Sequence, residues 1–208
     1  MSPNTRTSSV IDHGAMTRPD AERLFGAADL DAALRDRSWV EPWPGVVVPG
    51  DREHDPRTRA SAALLRAGPT AVLSGATAAA MHGCTAAADD IVHVTIPYYR
   101  EKRSSPGLVI HQSWVREDDV VELDGLRVHA LDVAIADLLC TGPQRMALAC
   151  LEQALAGLGE QAPRFRALVE ERLARRRDRR GTKQAAGLLG LAWSKPPVPG
   201  ELVRIGGR

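Results

Sequence analysis

The stretch from residue 91 to residue 129 constrains this chain most. It reads Ile91-Val92-His93-Val94-Thr95-Ile96-Pro97, then Gly107-Leu108-Val109-Ile110-His111, then Val120-Val121-Glu122-Leu123-Asp124-Gly125-Leu126-Arg127-Val128-His129. β-Branched residues punctuated by Pro, Gly and Asp-Gly are strand and turn signals. Helical patterns flank the stretch on both sides, so the sheet is where distant parts of a helix-rich chain can meet. Alternation puts Val92, Val94 and Ile96 on one face and His93 and Thr95 on the other. His111 and His129 stand opposite Ile110 and Val128 in the same way, so all three histidines are expected on a polar outer face. Three histidines on adjacent strands could hold zinc. No acid falls at a matching position, and an ordinary sheet puts polar residues on one face. No metal and no cofactor is expected.

Before the sheet, residues 1–14 are polar and expected to be disordered. Residues 15–52 then read as two short helices and a hairpin. Thr17 with Asp20 has capping-box spacing, Pro19 fits a first turn, and Gly26 stops the helix. A second helix is expected from Asp29 to Arg37. Trp39-Val40 and Val46-Val47-Val48 flank a Pro-rich turn. Two helices and a hairpin with aromatic feet outline a winged helix-turn-helix-like lobe. Asp55-Pro56 caps a stronger helix that ends at Gly68-Pro69. Val72-Leu73 is a short strand, and Ser74 is placed as the cap of an Ala-rich helix. After the sheet, helices are expected over Leu131–Cys140, Gln144–Leu158, from Pro163 into the arginine run 175–180, and from Thr182 to about Ala192. The fold class is α+β: the N-terminal lobe, a small mixed sheet with flanking helices over 55–192, and a C-terminal helical segment. Residues 193–208 are expected to be a flexible tail.

Charge is unevenly spread. The net is +1 over 208 residues, yet residues 1–50 sum to −2 and residues 164–183 to +6. A local basic patch binds phosphate even when the total is neutral. The loop 98–105 sets Arg100, Lys102 and Arg103 after two tyrosines. That pattern grips single-stranded nucleic acid by stacking and charge, although a solvated hairpin tip is the plainer reading. The three cysteines, 84, 140 and 150, are too few and too far apart for a disulfide framework, and read as buried thiols. The N-terminus has no signal-peptide core, and no apolar run approaches a membrane span; the protein is expected in the cytoplasm. There is no GxxxxGK[ST] or GxGxxG loop, Ser74 lacks the preceding glycine of a nucleophile elbow, and the acids 118, 119, 122 and 124 read as a solvated turn. No enzyme is expected.

Several blocks stand in a particular order and spacing: Ala67-Gly68-Pro69-Thr70-Ala71-Val72-Leu73-Ser74, Ala78-Ala79-Ala80-Met81-His82-Gly83, Val92 to Pro97, Pro106 to His111, Asp118-Asp119-Val120, Asp124 to Val128, Asp137-Leu138 and Arg179-Arg180-Gly181-Thr182. Together they resemble actinobacterial proteins of the AbiEi antitoxin family. The ordered match covers about residues 15–192. The resemblance implies a winged helix-turn-helix that binds the operon's own promoter and an α/β antitoxin domain that counters a nucleotidyltransferase-like toxin. Many relatives continue into an endonuclease-like domain; this chain stops at Arg208, where that domain would begin, and is expected to have no nuclease of its own. Departures include Asp29, Asp31 and Asp36 in the recognition helix, Gly75 where a histidine is common, and Leu131 and Val133 where proline and arginine are usual.

The expected function is that of an antitoxin-like, DNA-binding transcriptional regulator of a type IV toxin–antitoxin system. Arg18, Arg23, Arg35 and Arg37, with Arg175, Arg176, Arg177, Arg179 and Arg180, are the candidate DNA contacts. The alternatives are an interaction module that binds no DNA, or a non-catalytic remnant of an endonuclease-domain protein.

Overall fold

A computed structural model of the chain describes residues 13–193. The expectations for residues 1–12 and 194–208 lie outside the described residues. Packing divides the chain into two compact units. One holds the described residues up to Leu73 with Asp90–Val115 and Glu122–Arg127; the other holds Ser74–Asp89, Arg116–Val121 and the described residues from Val128 onward. Together they form the mixed α+β fold that the alternation and helix signals imply.

The first unit begins with a small lobe. β1 (Met16–Thr17) leads into α1 (Arg18–Phe25), where the Thr17 hydroxyl accepts from the Asp20 N–H, Pro19 sits in the first turn, and Gly26 at φ 90° ends the helix. α2 (Ala27–Arg35) follows at once. It starts two residues before the expected Asp29, because glycine reverses the chain in one step and two alanines are good helix formers. β2 (Trp39–Trp43) and β3 (Val46–Pro49) form the hairpin, and the sheet order is β1-β3-β2, antiparallel throughout. Ala21, Leu30 and Val47 make its core, with Met16, Leu34 and Trp39 packed around them.

α3 (Pro56–Ala67) is capped by Asp55, whose carboxylate accepts from the Thr58 N–H at 2.8 Å. Its buried face is small: Thr58, Ala60, Ser61, Ala62 and Ala63. That lets β3 and, further along the chain, the strand Val92–Pro97 pack closely on it. The Thr58 hydroxyl donates to the His13 carbonyl at 2.8 Å, and His13 Nε2–H donates to the Asp124 carbonyl at 2.6 Å. The Trp43 indole N–H donates to the Pro106 carbonyl at 3.0 Å, with the Arg59 guanidinium over its ring.

A second sheet has five strands in the order β6-β5-β4-β8-β7, with β4 (Val72–Leu73), β5 (Val92–Pro97), β6 (Leu108–Ser113), β7 (Val120–Leu123) and β8 (Leu126–His129). β4 runs antiparallel to β5, and β5 runs parallel to β6 with Val92 opposite Leu108 and Pro97 opposite Ser113. The loop 98–107 is therefore not a hairpin tip. It returns along β6 to the start of that strand, held by hydrogen bonds between Ser105 and Leu108 at 2.9 Å and from the Ile110 N–H to the Ser104 hydroxyl at 2.9 Å.

The second unit is helical: α4 (Gly75–Met81), α5 (Leu131–Thr141), α6 (Gln144–Leu158), α7 (Ala162–Arg175) and α8 (Thr182–Trp193). Its core is aliphatic, with Ile135, Leu139, Leu151 and Val169 fully buried. Burial of each is worth roughly 1.5–3 kcal/mol. The three cysteines are buried and free. The Cys84 thiol donates to the Cys150 carbonyl at 3.7 Å. Contact with Cys150, then burial, pushes the Cys84 thiol upward, so it stays protonated and inert.

Candidate nucleic-acid interface

In the lobe, Arg18 stands at the first position of α1 and is surrounded by acids. Its guanidinium reaches Glu22 at 2.9 Å, Asp31 at 2.8 Å and Glu41 at 3.2 Å, tying α1, α2 and β2 together. Arg23 is 75% exposed and pairs with Asp20 at 2.9 Å; Arg37 is 73% exposed and reaches Glu53 at 3.1 Å. Arg35 lies exposed near the end of α2. Asp29, Asp31 and Asp36 are exposed on or beside the same helix. The Ser38 hydroxyl and N–H hold the Asp36 carboxyl below its ordinary range, so it stays charged. Of the four lobe arginines, Arg23, Arg35 and Arg37 face outward, while Arg18 is engaged by three carboxylates.

The arginine run divides in the same way. α7 ends at Arg175 rather than continuing through Arg180, and residues 176–181 form a connection to α8. Arg176 turns inward to Asp137 on α5, half-buried. Gly181, at φ +73°, lies so close to α5 that a Cβ would fall 1.9 Å from the Cys140 carbonyl oxygen. Those two contacts pull the chain off the helix axis. Arg175 pairs with Glu171 on its own helix. Arg177, Arg179 and Arg180 are exposed, and Asp178 accepts from the Arg180 N–H at 3.0 Å. Sequence reasoning missed Arg172 in the last turn of α7, four residues before Arg176. It reaches Asp132 at 2.7 Å and also holds Asp119. The i, i+4 spacing of Arg172 and Arg176, set against Asp132 and Asp137, is the signal that could have found it. Asp119 is thus an ion-paired group, not part of a solvated turn.

The three histidines separate. His93 and His111 come from adjacent parallel strands, with rings stacked 5.4 Å apart and Nδ1 to Nε2 at 3.1 Å. His129, expected on the polar face, is buried at 5% exposure beside fully buried Val128. The end of β8 is covered on both faces, so alternation no longer sorts polar from apolar there. Its carbonyl accepts from His82 Nε2–H at 2.9 Å. Burial lowers the affinity of both His82 and His129 for protons, against Asp132 near the first and Asp137 and Asp119 near the second. Among the described residues no cluster of three or more His, Cys, Asp or Glu is placed to hold a metal ion.

The sequence profile of the AbiEi antitoxin C-terminal domain matches residues 70–191. The chain belongs to the AbiEi antitoxin family. That makes it a member of a group of antitoxins from toxin–antitoxin systems. Its fold is similar to the crystal structure of the RV2827C protein from Mycobacterium tuberculosis, at TM-score 0.56 and 18% identity, over 88% of this chain and 74% of that one. No curated protein matches the chain. The AbiEi stretch takes in β4 through nearly all of α8 and leaves out the N-terminal lobe. Within it, Ser74 holds the cap position of α4 without capping: its hydroxyl is buried and has no hydrogen-bond partner. Gly75 at φ 52° takes the first residue of the helix out of the usual geometry, and the cap with it. No helix among the described residues is long and apolar enough to cross a membrane.

Proposed function

We propose that this AbiEi-family protein represses its own operon by binding duplex DNA through residues 15–52 and neutralises a nucleotidyltransferase-like toxin through residues 55–192, acting in the cytoplasm without catalysis of its own. The match to the antitoxin domain carries the reading. The DNA half rests on the lobe, where α1, Gly26 and α2 form a helix pair and β2–β3 a hairpin, the parts of a winged helix-turn-helix. Arg23, Arg35 and Arg37 are its outward cations and would contact phosphates. Arg175, Arg177, Arg179 and Arg180 would add a second charged stretch. Arg18, engaged by three carboxylates, and Arg176, half-buried against Asp137, would contribute by positioning rather than by contact.

The test is a mobility shift with duplex from the operon's upstream region. Binding should weaken steeply between 50 and 200 mM salt, since each phosphate contact releases counterions. Arg35→Ala with Arg37→Ala should weaken it about tenfold. No shift at low salt would remove the DNA half. A second reading, an interaction module that binds its partner and no DNA, is favoured by one observation: Asp29, Asp31 and Asp36 expose negative charge where the phosphates would lie. Under that reading a neighbouring toxin co-purifies and the duplex never shifts.

A further inference from the structure

The chain has eight Trp, Tyr and Phe residues, and three of them stand exposed just beyond the shared end of β5 and β6. Tyr98, Tyr99 and Trp114 are 59%, 74% and 71% exposed. Isolated surface aromatics are ordinary, but exposed rings gathered at one strand end point to an interaction site. The parallel pairing of β5 and β6 creates this group. Both strands end at the same place, with Pro97 opposite Ser113 as the last pair. One residue further, Tyr98 and Trp114 meet edge to face at 6.1 Å. The return loop leaves from the same end and is fastened along β6. Gln112 Nε2 donates to the Arg100 carbonyl at 2.6 Å, and Ser104 and Ser105 hold its far end. Arg100, Lys102 and Arg103 are exposed on it with a single acid, Glu101.

We propose that Tyr98, Tyr99 and Trp114 are a stacking platform for the bases of a single-stranded nucleic acid, and that the loop cations Arg100, Lys102 and Arg103 hold its phosphates. Every base has a π-face, so aromatic stacking is tolerant of sequence, and neighbouring cations track the backbone. A protein-binding hot spot would seat such rings in an apolar pocket with a rim that excludes water. Here the flanking exposed residues, Arg100, Glu101, Lys102, Gln112 and Ser113, are all polar. This surface is separate in residues and in ligand from the duplex-reading lobe proposed above.

The test uses the full chain and fluorescein-labelled 12-mer oligouridine, read by anisotropy. Binding is expected at 50 mM NaCl. It should weaken roughly twentyfold by 200 mM, the effect of about three phosphate contacts on a single strand. Tyr99→Ala with Trp114→Ala should weaken binding at least tenfold, whereas Tyr99→Phe with Trp114→Phe keeps the rings and keeps binding. Lys102→Gln with Arg103→Gln should flatten the salt slope by about 1.4. Arg35→Ala with Arg37→Ala, which tests the lobe, should leave oligouridine binding unchanged, so the two proposals fail separately. The platform is overturned by no binding at 50 mM NaCl, by an alanine pair that binds like the parent, or by alanine and phenylalanine pairs that fail equally while their circular dichroism is native. It is also overturned if the alanine pair loses a co-purifying protein partner and leaves oligouridine binding intact, which would make the patch a protein contact.

Discussion

Arg18 and Arg172 gather carboxylates in two different settings. Arg18 meets Glu22, Asp31 and Glu41 in the N-terminal lobe, where those side chains are 39%, 51% and 29% exposed. Arg172 meets Asp119 and Asp132 in the helical unit, where they are 17% and 14% exposed. The two arginines are equally exposed, at 35% and 34%, but water reaches the acids of the first set and is largely kept from those of the second. An exposed pair contributes little, whereas breaking a buried one strands a charge. The lobe can therefore exchange charges at small cost, which suits a surface that meets a partner. The helical unit uses arginine as structure: Arg172 on α7 and Arg176 just past its end hold that helix to its neighbours.

The largest expected effect tests how rigidly the helical unit is built. Gly181 combines φ +73° with a Cβ position 1.9 Å from the Cys140 carbonyl oxygen, so Gly181→Ala must move the α7–α8 connection away from α5. We expect a loss of about 4 kcal/mol in urea denaturation. Gly50→Ala, in the first unit, meets the Arg37 carbonyl at 2.1 Å without a left-handed φ, and should cost less. Next comes Arg172→Ala, which leaves Asp119 and Asp132 without their cation. A loss of about 3 kcal/mol is expected, discounted for partial exposure. A loss under about 1 kcal/mol would mean that water compensates both acids and that the two regions do not differ.

Much of the scaffold was readable from local chemistry. Thr17 and Asp55 cap the helices they were expected to cap, and Gly26 and Gly68 end them, because caps and stops depend on a few adjacent residues. What was not readable depends on pairing at a distance. Alternation reveals a strand but not its direction, so β6 was expected to be a hairpin partner and is parallel. Arg172 finds acids 40 and 53 positions away in sequence. His129 is buried by packing at the end of β8, not by its own pattern. The candidate DNA contacts were legible as charge only; which arginines face outward depended on acids placed by the fold.

An intermediate effect comes from the buried histidines, which the helical unit has and residues 15–52 lack. An unfolded histidine titrates near 6.5, and burial holds His82 and His129 lower in the fold. Below about 6.5 the unfolded chain therefore binds more protons than the folded one. Stability is fully present above that pH and is lost as pH falls through it towards the folded values. The urea midpoint of the full chain should drop from pH 7.5 to pH 5.5. His82→Gln, which can still donate to the His129 carbonyl, should reduce that drop. An equal drop in the variant would place the acid sensitivity elsewhere.

The smallest effect completes the contrast. Arg18→Ala removes three ion pairs at once, but their partners are solvated and stay charged in water. The expected loss is the smallest of the series, because exposed pairs contribute little. Salt gives the sharper measurement. Surface pairs are screened within about 8 Å at 0.15 M ionic strength and more tightly above it, while enclosed pairs are screened much less. Raising NaCl from 0.05 to 0.5 M should erase the difference between Arg18→Ala and the parent, and leave most of the difference between Arg172→Ala and the parent. If both differences shrink together, Asp119 and Asp132 are as open to ions as Asp31 and Glu41. Arginine would then be holding the helical unit no more firmly than the lobe.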